Sequence, residues 1–577
     1  MNVCLDNDFV LRGKESIMSR YVELGGDSYT AAREAFEWDV PADYNIARDC
    51  VRKHDRDAPA LYQGYPGGRR ETYTFGDVDD WSDRIAHGLA DRGVERGDRV
   101  AVAASQRPET PVTHLACWKI GAVTVPLSVL FGTSAMRHRL SNSGATVAVA
   151  ETKAAETIAV VRDDCPSLDD IVTVETADAG GQGDNGTAGK RAVGDETFAE
   201  LGAKDATGFD IAPTGPDDPA LTIHTSGTTG PAKGVVHTQS VWMSYCPAFC
   251  LYFEQLDPRP TDGVYWTPSD WAWIGGLGTV LFPAWHYGRP VVGRSIRKFR
   301  ASTAYRILEL FEVTHASLPP TALRMLRDGD PSPSSFDLSL TTLVSGSEPL
   351  TPDIVEWVDR AFTGVIINEG YGQTEVGNVV TNCQTWFDLR PGSMGKPVPG
   401  YDVVVLDPDS DNRVEPGTVG EICVRVDGDS SGIHRGYWGD VDADGRDETD
   451  RWHRTGDLAR RDEDGYLWFV AREDDVILTS GYRVGPTTVE RALTGHEAVD
   501  DAGVVGVPDD RRGERITAVV TLRDGVDPSP SLRASLRALV REEVAEYAYP
   551  REVRFVDDLP TTRTGKVDRD GLRTLLG

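Results

Sequence analysis

The sequence has 577 residues, of which 40% are hydrophobic and 26% are charged, so the chain is globular in composition and too long for a single hydrophobic core. Its formal net charge of −31 argues against nucleic acid or an anionic membrane surface as a partner. The sequence contains no run of 18 or more apolar residues, which excludes a helix that crosses a membrane.

Neither the N-terminus nor the cysteines are typical of an exported protein. The opening stretch, MNVCLDNDFVLRGKE, carries acids where a signal peptide needs a basic start and an apolar segment. The eight cysteines include one close pair, Cys246 and Cys250, and none of their spacings is typical of a zinc site. We therefore expect a cytoplasmic protein whose cysteines are reduced core residues.

The basic residues are unevenly divided between the two types. The sequence has 50 arginines and only 10 lysines. Excess acid with scarce lysine favours a surface adapted to high salt, where repulsion between carboxylates is screened, and so predicts a halophilic source. Because lysine is scarce in this sequence, a lysine inside a motif is stronger evidence for a functional role than it would be in an ordinary protein.

Short apolar runs alternate with helical patterns from about residue 100 to residue 367. The runs, each bounded by Gly, Pro, Ser or Thr, are RVAVAAS, AVTVPLS, TVAVAE, ALTIHTS, GVYWTP, THASLPP, LTTLVSG and VIINEG. Residues 302–313, STAYRILELFEV, show the spacing of a helix. This alternation predicts an α/β fold with substantial parallel sheet, whose ligands bind beyond the carboxyl ends of the strands.

The second half of the chain changes character. GYDVVVLD, GEICVRVDG and GYLWFVARED, between residues 390 and 474, predict antiparallel strands, and the Gly-rich residues 178–196 predict an exposed loop. After Asp474 we expect strand, helix, strand and helix before a polar tail. The predicted units are an N-terminal extension (1–43), a large domain with mixed and parallel sheets and a small β-rich part (44–473), and a small mobile α+β domain (474–577).

The stretch LTIHTSGTTGPAKGVVHT, residues 221–238, joins an apolar run to a loop rich in glycines, hydroxyls and one lysine. Backbone N–H groups of such a loop can approach an anion, and the hydroxyls and the lysine add further hydrogen-bond donors. We therefore expect the loop to bind phosphate. The loop fails the G-x-x-x-x-G-K-[ST] pattern, because Ala232 stands where the second glycine belongs. This excludes a P-loop NTPase, and taken alone the loop is also compatible with a flexible surface turn.

Five more motifs follow in the same chain, and together the six resemble those of the adenylate-forming superfamily, in its acyl-CoA synthetase group. They are SGSEPL (345–350), EGYGQTE (369–375), HRTGDLARRDEDGYLWFVAREDDVI (453–477), SGYRVGP (480–486) and RTGKVDR (563–569). The resemblance extends from about Tyr44 to the end of the sequence and implies that the loop at 225–233 holds ATP.

The resemblance implies roles for the phosphate and adenine sides of this site. Lys233 and the loop, namely Thr225, Ser226, Gly227, Thr228, Thr229 and Gly230, would wrap the β- and γ-phosphates, with Thr228 and Lys233 acting in catalysis. Ser347, Glu348 and Pro349 would line adenine, although Ser347 replaces the glycine that is usual there. Glu369, Gly370 and Gln373 would complete the nucleotide site, where Tyr371 stacks on adenine, Thr374 touches the α-phosphate and Glu375 holds Mg²⁺.

Further roles fall on the C-terminal third. Asp457 would accept both ribose hydroxyls, Arg472 would contact ribose or phosphate, and Asp474 would be the hinge of the small domain. Lys566 would neutralise charge on the attacking carboxylate and the α-phosphate during adenylation. Arg483 would meet phosphate or the hinge, and after rotation Ser480, Gly481 and Tyr482 would line the tunnel for the CoA thiol.

The acyl pocket is less defined by the sequence. Residues 265–292 resemble the corresponding stretch of medium-chain acyl-CoA synthetases, including Asp270 and Trp273, which predicts that Trp273 lines the pocket. Acetate-specific relatives carry tryptophan at the position of Gly372, so we expect glycine to leave room for an acid larger than acetate, either short- to medium-chain aliphatic or aromatic.

Two alternatives remain to the predicted ATP-, Mg²⁺- and CoA-dependent ligase. One is an adenylate-forming enzyme with a non-CoA acceptor, against which stands the absence of a carrier-like serine motif. The other is a catalytically inactive nucleotide-binding protein, against which stand the intact motif residues Lys233, Glu375, Asp457, Arg472 and Lys566.

Overall fold

The computed structural model describes most of the chain. The described residues are 22, 24–175, 194–203, 206–225, 232–256, 263–296, 298–426, 436–439, 451–479, 482–509, 512–544, 548–562 and 566–576. No described helix is long and apolar enough to cross a membrane. The predicted loop at 178–196 lies largely outside these residues.

The strands follow the predicted apolar runs closely. In chain order they are β1 (Pro59–Gly64), β2 (Arg70–Thr74), β3 (Arg99–Ala103), β4 (Val123–Pro126), β5 (Val147–Glu151), β6 (Asp170–Val174), β7 (Glu196–Thr197), β8 (Pro219–Thr225), β9 (Lys233–Thr238), β10 (Tyr265–Trp266), β11 (Val291–Gly293), β12 (His315–Ser317), β13 (Thr342–Gly346), β14 (Ile366–Gln373), β15 (Gly377–Thr381), β16 (Lys396–Pro397), β17 (Val403–Leu406), β18 (Val419–Arg425), β19 (Trp452–Arg461), β20 (Leu467–Arg472), β21 (Ile477–Thr479), β22 (Tyr482–Val484), β23 (Val499–Asp509), β24 (Gly513–Leu522) and β25 (Glu552–Phe555).

The helices lie mainly between the parallel strands. They are α1 (Tyr29–Ala35), α2 (Phe75–Asp91), α3 (Glu109–Ile120), α4 (Thr133–Ser143), α5 (Thr152–Val161), α6 (Phe198–Leu201), α7 (Val241–Tyr252), α8 (Ile274–Gly276), α9 (Phe282–His286), α10 (Ala301–Leu310), α11 (Pro320–Arg327), α12 (Pro352–Ala361), α13 (Pro486–Thr494), α14 (Pro530–Glu543) and α15 (Arg569–Leu576). Short π turns span Arg48–Arg52 and Leu277–Leu281, and 3-10 turns span Pro66–Gly68, Arg162–Asp164, Pro333–Ser335 and Glu473–Asp475.

Two sheets with parallel centres form the large N-terminal part, as the alternating pattern predicted. One has seven strands in the order β7-β6-β5-β3-β4-β8-β9, and the other has nine in the order β16-β15-β14-β13-β12-β10-β11-β1-β2. Antiparallel pairing is confined to their edges, at β8–β9, β1–β2 and β14–β15–β16. The fold class is therefore mixed α/β, as predicted.

Helices α3, α7 and α9 join the two sheets through one hydrophobic core. The indole of Trp118 on α3 and the phenyl ring of Phe282 on α9 have centroids 4.9 Å apart, and Trp242 on α7 stacks on Phe282 at 5.0 Å. All three are fully buried. Large aromatic side chains dominate such cores because each removes much apolar surface from water.

The predicted antiparallel strands form a sheet in the order β17-β18-β19-β20. A separate sheet follows, in the order β22-β21-β24-β23 with β25 beside β24, and α13 and α14 pack on it through Val489, Leu493 and Leu536. The predicted boundary at Asp474 falls in the 3-10 turn between these two sheets.

Three expectations at the ends and in the core can be compared with the structure. The predicted polar tail ends in helix α15, because Leu572 is buried there against β23. The segment before Tyr44 packs on the large domain, where the Trp38 indole donates to the Gly400 carbonyl at 3.2 Å. The seven cysteines that the structure describes are all buried free thiols, as predicted.

Candidate active site

The hairpin of β8 and β9 brings together the two ends of the predicted phosphate loop. Thr225 ends β8 and pairs with Lys233, which begins β9 with its side chain exposed. Ser226, Gly227, Thr228, Thr229 and Gly230 lie outside the described residues, so their roles stay predictions. The described flanks of the predicted loop therefore lie side by side at the edge of the seven-stranded sheet.

The EGYGQTE motif occupies strand β14 and the turn that follows it. Glu369 and Gly370 lie on β14 beside Ser345 and Gly346 of β13, while Thr374 and Glu375 form the turn to β15. The Glu369 side chain is buried and accepts a hydrogen bond from the Leu350 N–H at 3.2 Å. Burial raises the pKa of Glu369 to about 8, against the opposing charge of Arg491 on α13.

Asp457 on β19 is the centre of a hydrogen-bond cluster. Its Oδ2 accepts from the Tyr371 hydroxyl at 2.7 Å and from the Gln373 amide at 2.6 Å. Its Oδ1 accepts from the Arg472 guanidinium at 3.2 Å. Burial raises the pKa of Asp457, and Arg472 and the two donors counteract this shift. The structure therefore brings four of the predicted nucleotide residues into direct contact.

The adenine-side loop takes a conformation that usually favours glycine. Ser347 has φ +71°, in the left-handed region, so it adopts the backbone that the usual glycine would adopt at this position. Glu348 accepts from the Thr321 hydroxyl at 2.8 Å and from the Arg324 guanidinium at 2.9 Å, both on α11. Pro349 follows in the same loop. Serine in place of the usual glycine at position 347 therefore leaves the conformation of the turn unchanged.

Lys566 of the small domain is within electrostatic range of these residues. Its backbone carbonyl accepts a hydrogen bond of 2.7 Å from the Thr562 N–H. Loss of water around the ammonium lowers the pKa of Lys566, while the nearby carboxylates of Glu348 and Asp457 raise it and Arg472 lowers it further. The C-terminal lysine is therefore within electrostatic range of the nucleotide residues of the large domain.

Glu375 provides the carboxylate that was predicted to hold Mg²⁺. Burial raises the pKa of Glu375, and its Oε1 accepts from the Tyr437 hydroxyl at 3.2 Å. A half-buried carboxylate of this kind is stabilised in its ionised form by a cation, and its oxygens are the hard ligands that Mg²⁺ prefers. The residues present therefore fit the metal.

The expectation for Gly372 is wrong. A Cβ at this position would lie 2.0 Å from the carbonyl oxygen of Gly377 and 2.9 Å from the Cα of Asn378, both on the neighbouring strand β15. The cause is a register shift between Tyr371 and Gly372 in the β14–β15 pair. Glycine at 372 serves the close approach of two backbones, and a side chain here does not point into open space.

Trp273 lies where the carboxyl ends of strands from both sheets meet. Its indole packs edge-on to Phe131, with ring centroids 5.8 Å apart, and Phe131 follows β4 while Trp273 follows β10. The two connections are also joined by a hydrogen bond of 3.1 Å from the Ser128 hydroxyl to Asp270. In α/β folds this edge is where ligands bind.

The remaining predicted residues lie near the hinge. Asp474 is in the 3-10 turn Glu473–Asp475, and Tyr482 and Arg483 lie on β22, but the side chains of all three are outside the described part of the chain. Ser480 and Gly481 are outside it altogether. Their hinge and tunnel roles stay predictions.

Comparison with known proteins assigns the family. The model of the AMP-binding enzyme family matches residues 47–438, and that of the AMP-binding enzyme C-terminal domain matches residues 488–566. The acetyl-coenzyme A synthetase of Bacillus subtilis is 34% identical over 539 residues, which cover 92% of this chain and 90% of that protein. The mitochondrial acyl-coenzyme A synthetase ACSM4 of Rattus norvegicus is 33% identical over 554 residues, 92% and 91% of the two chains.

A solved structure extends the likeness to three dimensions. The anthranilate CoA ligase AuaEII, in complex with anthranoyl-AMP, superposes with a TM-score of 0.81 at 26% identity, covering 93% of this chain and 98% of that one. The fold and the site together define an adenylate-forming enzyme. The chain belongs to the AMP-binding enzyme family, as its motifs predicted.

Sequence reasoning missed three side chains at this site. Arg324 and Thr321 hold Glu348 from helix α11, and Tyr437 contacts Glu375. Arg324 stands in an ordinary amphipathic helix, and Tyr437 stands in a short stretch, GYWGD, without any periodic pattern. A tyrosine beside glycine in an otherwise acidic stretch of sequence was the one local signal, and it does not identify a partner.

Proposed function

We propose that the protein activates a short- to medium-chain aliphatic or aromatic carboxylic acid and transfers it to CoA. It is an ATP-dependent acid:CoA ligase of the AMP-forming type. The observation that carries this proposal is the cluster at Asp457, which accepts hydrogen bonds from Tyr371, Gln373 and Arg472 and has Lys566 of the small domain within electrostatic range. A lysine from one domain beside the nucleotide residues of another is what adenylation requires.

In the first step a carboxylate oxygen of the acid attacks the α-phosphorus of ATP, and pyrophosphate leaves. Asp457 would hold the ribose hydroxyls, and Arg472, already hydrogen-bonded to it, would keep that carboxylate ionised. Lys566 would offset the negative charge that two approaching anions share. These groups provide alignment and charge stabilisation, which is the main help this displacement needs.

In the second step the sulfur of CoA attacks the acyl carbonyl carbon, the thiol proton is lost, and AMP leaves. We propose that the small domain rotates about Asp474 between the steps. Lys566 would then leave the site, and Ser480, Gly481 and Tyr482 would line the thiol path. Gly481 suits this position because a side chain would obstruct the pantetheine chain.

Mg²⁺ is proposed to bind at Glu375. When bound, it would neutralise charge on the phosphate oxygens of ATP. Lys233 at the start of β9, with the preceding loop, would hold the departing phosphates on the other side. Thr374, next to Glu375, would contact the α-phosphate.

The acyl group is proposed to bind beside Trp273 and Phe131, at the shared edge of the two sheets. The similar proteins described above are an acetyl-CoA synthetase, an acyl-CoA synthetase and an anthranilate CoA ligase, which supports a carboxylic acid as the substrate class. We further propose that the protein works in the cytoplasm of a halophile, without nucleic acid or membrane partners, since the described cysteines are free thiols and the chain is strongly acidic.

A panel of acids tests this proposal. Acetate through octanoate, with benzoate and anthranilate, would be assayed for AMP formation with and without CoA in molar KCl. We expect AMP and an acyl-CoA product to form with at least one acid, and to require CoA for turnover. Acid-dependent AMP release without any thioester would favour the non-CoA acceptor, and no acid-dependent use of ATP would leave only an inactive nucleotide-binding protein.

A further inference from the structure

A three-residue segment, 436–438, pairs with the strand that follows the phosphate loop. The Val236 N–H donates to the Gly436 carbonyl at 3.0 Å, and the Trp438 N–H donates to the Gly234 carbonyl at 2.7 Å. Tyr437 stands opposite Val235 in this antiparallel bridge. The pairing fixes the backbone of Tyr437 beside Lys233, at the C-terminal end of the loop.

The Tyr437 side chain contacts two groups of opposite charge. Its hydroxyl donates to Glu375 Oε1 at 3.2 Å, and the Lys233 ammonium lies 5.0 Å from the centroid of its ring. A cation within about 6 Å of an aromatic face is attracted by the ring quadrupole. One rigid side chain therefore lies between a predicted phosphate ligand on β9 and a predicted cation ligand in the turn after β14.

These contacts connect elements that are distant in sequence. Lys233 begins the edge strand β9 of the seven-stranded sheet, and Glu375 lies in the turn that joins β14 and β15 of the nine-stranded sheet. A nucleotide whose phosphates carry a metal ion must satisfy both groups at once, so the separation between them matters for binding. A tyrosine suits this position because its ring and its hydroxyl bind different partners and its side chain has few rotatable bonds.

We infer that Tyr437 is a positioning residue that sets Lys233 and Glu375 at the spacing required by the metal-bound triphosphate of ATP. The inference rests on the proposed function. Tyr437 acts through these two side chains and does not itself touch the reacting atoms. The alternative is that Tyr437 only packs the 436–438 segment against β9.

Two substitutions separate the ring from the hydroxyl. Tyr437→Phe keeps the ring under Lys233 and removes the donor to Glu375, whereas Tyr437→Leu removes both. Tyr466→Phe is a matched control, because Tyr466 also donates its hydroxyl, to the Asp388 carbonyl at 2.7 Å, and has the Lys396 ammonium 4.6 Å from its ring centroid. Circular dichroism would verify that all three variants fold.

The measurement is ATP binding by calorimetry at a series of Mg²⁺ concentrations, with no acid present. We expect Tyr437→Phe to need roughly 3- to 10-fold more Mg²⁺ for half-maximal tightening of ATP binding, the size of effect expected for the loss of one ordinary hydrogen bond. Without Mg²⁺, its affinity for ATP should equal that of the wild type. Tyr437→Leu should bind ATP more weakly at every Mg²⁺ concentration, and Tyr466→Phe should match the wild type throughout.

The outcomes distinguish this inference from the proposed function. Suppose that Mg²⁺ increases the affinity of the wild type for ATP and that both Tyr437 variants show the same affinities at every Mg²⁺ concentration. The inference is then overturned and the proposed function stands. An equal loss of ATP affinity in both variants, without a change in the Mg²⁺ requirement of Tyr437→Phe, would show that Tyr437 only packs the 436–438 segment against β9. A wild-type protein that does not bind ATP would overturn the proposed function and the inference with it.

Discussion

Asp457 and Arg472 are direct partners across strands β19 and β20, with the guanidinium 3.2 Å from Asp457 Oδ1. Adjacent strands hold the pair in register, so the ion pair does not depend on loop geometry. The other oxygen of Asp457 is shared by Tyr371 and Gln373 from β14. Through this one carboxylate, the four-stranded sheet and the nine-stranded sheet are joined at the proposed ribose site.

Replacing Asp457 with Asn should weaken ATP use strongly. The amide has one acceptor oxygen where the carboxylate has two, and it lacks the charge that pairs with Arg472. We expect kcat/KM for ATP to fall roughly 10- to 100-fold, the loss typical of a charge-assisted hydrogen bond. Asp462→Asn is the control, since Asp462 accepts from Arg390 at 2.7 Å and from Trp468 at 3.1 Å away from the site. Equal kinetics for Asp457→Asn and the wild type would contradict the ribose role.

Replacing Gly372 with Ala should lower activity on all acids alike. The new methyl would lie 2.0 Å from the Gly377 carbonyl, which forces the β14–β15 turn to shift and displaces Thr374 and Glu375 with it. The measurement is kcat/KM for acetate through octanoate. Gly25→Ala is the control, because a Cβ there meets its nearest atom at 4.0 Å. A fall confined to the longer acids would restore the pocket interpretation of Gly372.

Glu369 should make stability depend on pH. Its pKa is about 8 in the fold, against an ordinary value of 4.5, so the folded protein binds the proton more tightly than the unfolded chain. The stabilisation from this proton is complete below about pH 4.5 and is lost as the pH rises towards 8, by up to about 1.4 kcal/mol per pH unit.

Glu369→Gln removes that dependence and keeps an acceptor for the Leu350 N–H. We expect the variant to gain stability relative to the wild type as the pH rises from 5 to 8. Thermal midpoints of both proteins at pH 5, 6.5 and 8 provide the measurement. A constant difference between the two proteins at all three pH values would show that Glu369 is not held protonated.

Much of the fold was predictable because the strands are apolar runs that begin and end at Gly, Pro, Ser or Thr. VIINEG gave the start of β14 and LTTLVSG gave β13, and the site follows from the motifs at their carboxyl ends. Helix α15 was missed because its eight residues, RDGLRTLL, are too few for a clear helical period and only Leu572 among its three leucines is fully buried. Its packing against β23 is a tertiary contact that local pattern does not contain.

The errors at the site have the same origin. Gly372 was misinterpreted because the register shift between β14 and β15 decides which way its Cβ points, and a one-residue shift leaves no mark in the sequence. Tyr437 was overlooked because its partners, Lys233 and Glu375, are 204 and 62 positions away. The motifs could be found in the sequence, whereas contacts between residues far apart in the sequence, such as those of Tyr437, could not.

The charge composition predicts a requirement for salt. With a net charge of −31, repulsion between carboxylates reaches about 10 Å at 0.1 M salt and only about 3 Å at 1 M. We expect ellipticity and activity to fall below molar KCl and to recover when salt is restored. Circular dichroism across a KCl series provides the measurement, and unchanged stability at low salt would contradict a halophilic surface.

Lys566 carries the central claim, because we propose that it acts in the adenylation step alone, from a position within electrostatic range of Glu348 and Asp457. The most direct test is Lys566→Ala measured separately in the two half-reactions, with the exposed Lys298→Ala as control. Acid-dependent exchange of pyrophosphate into ATP reports the first step, and thioester formation from supplied acyl-adenylate and CoA reports the second. We predict that the first falls by about 100-fold or more, while the second stays within about threefold of the wild type. An equal fall in both half-reactions of the folded variant would contradict this account.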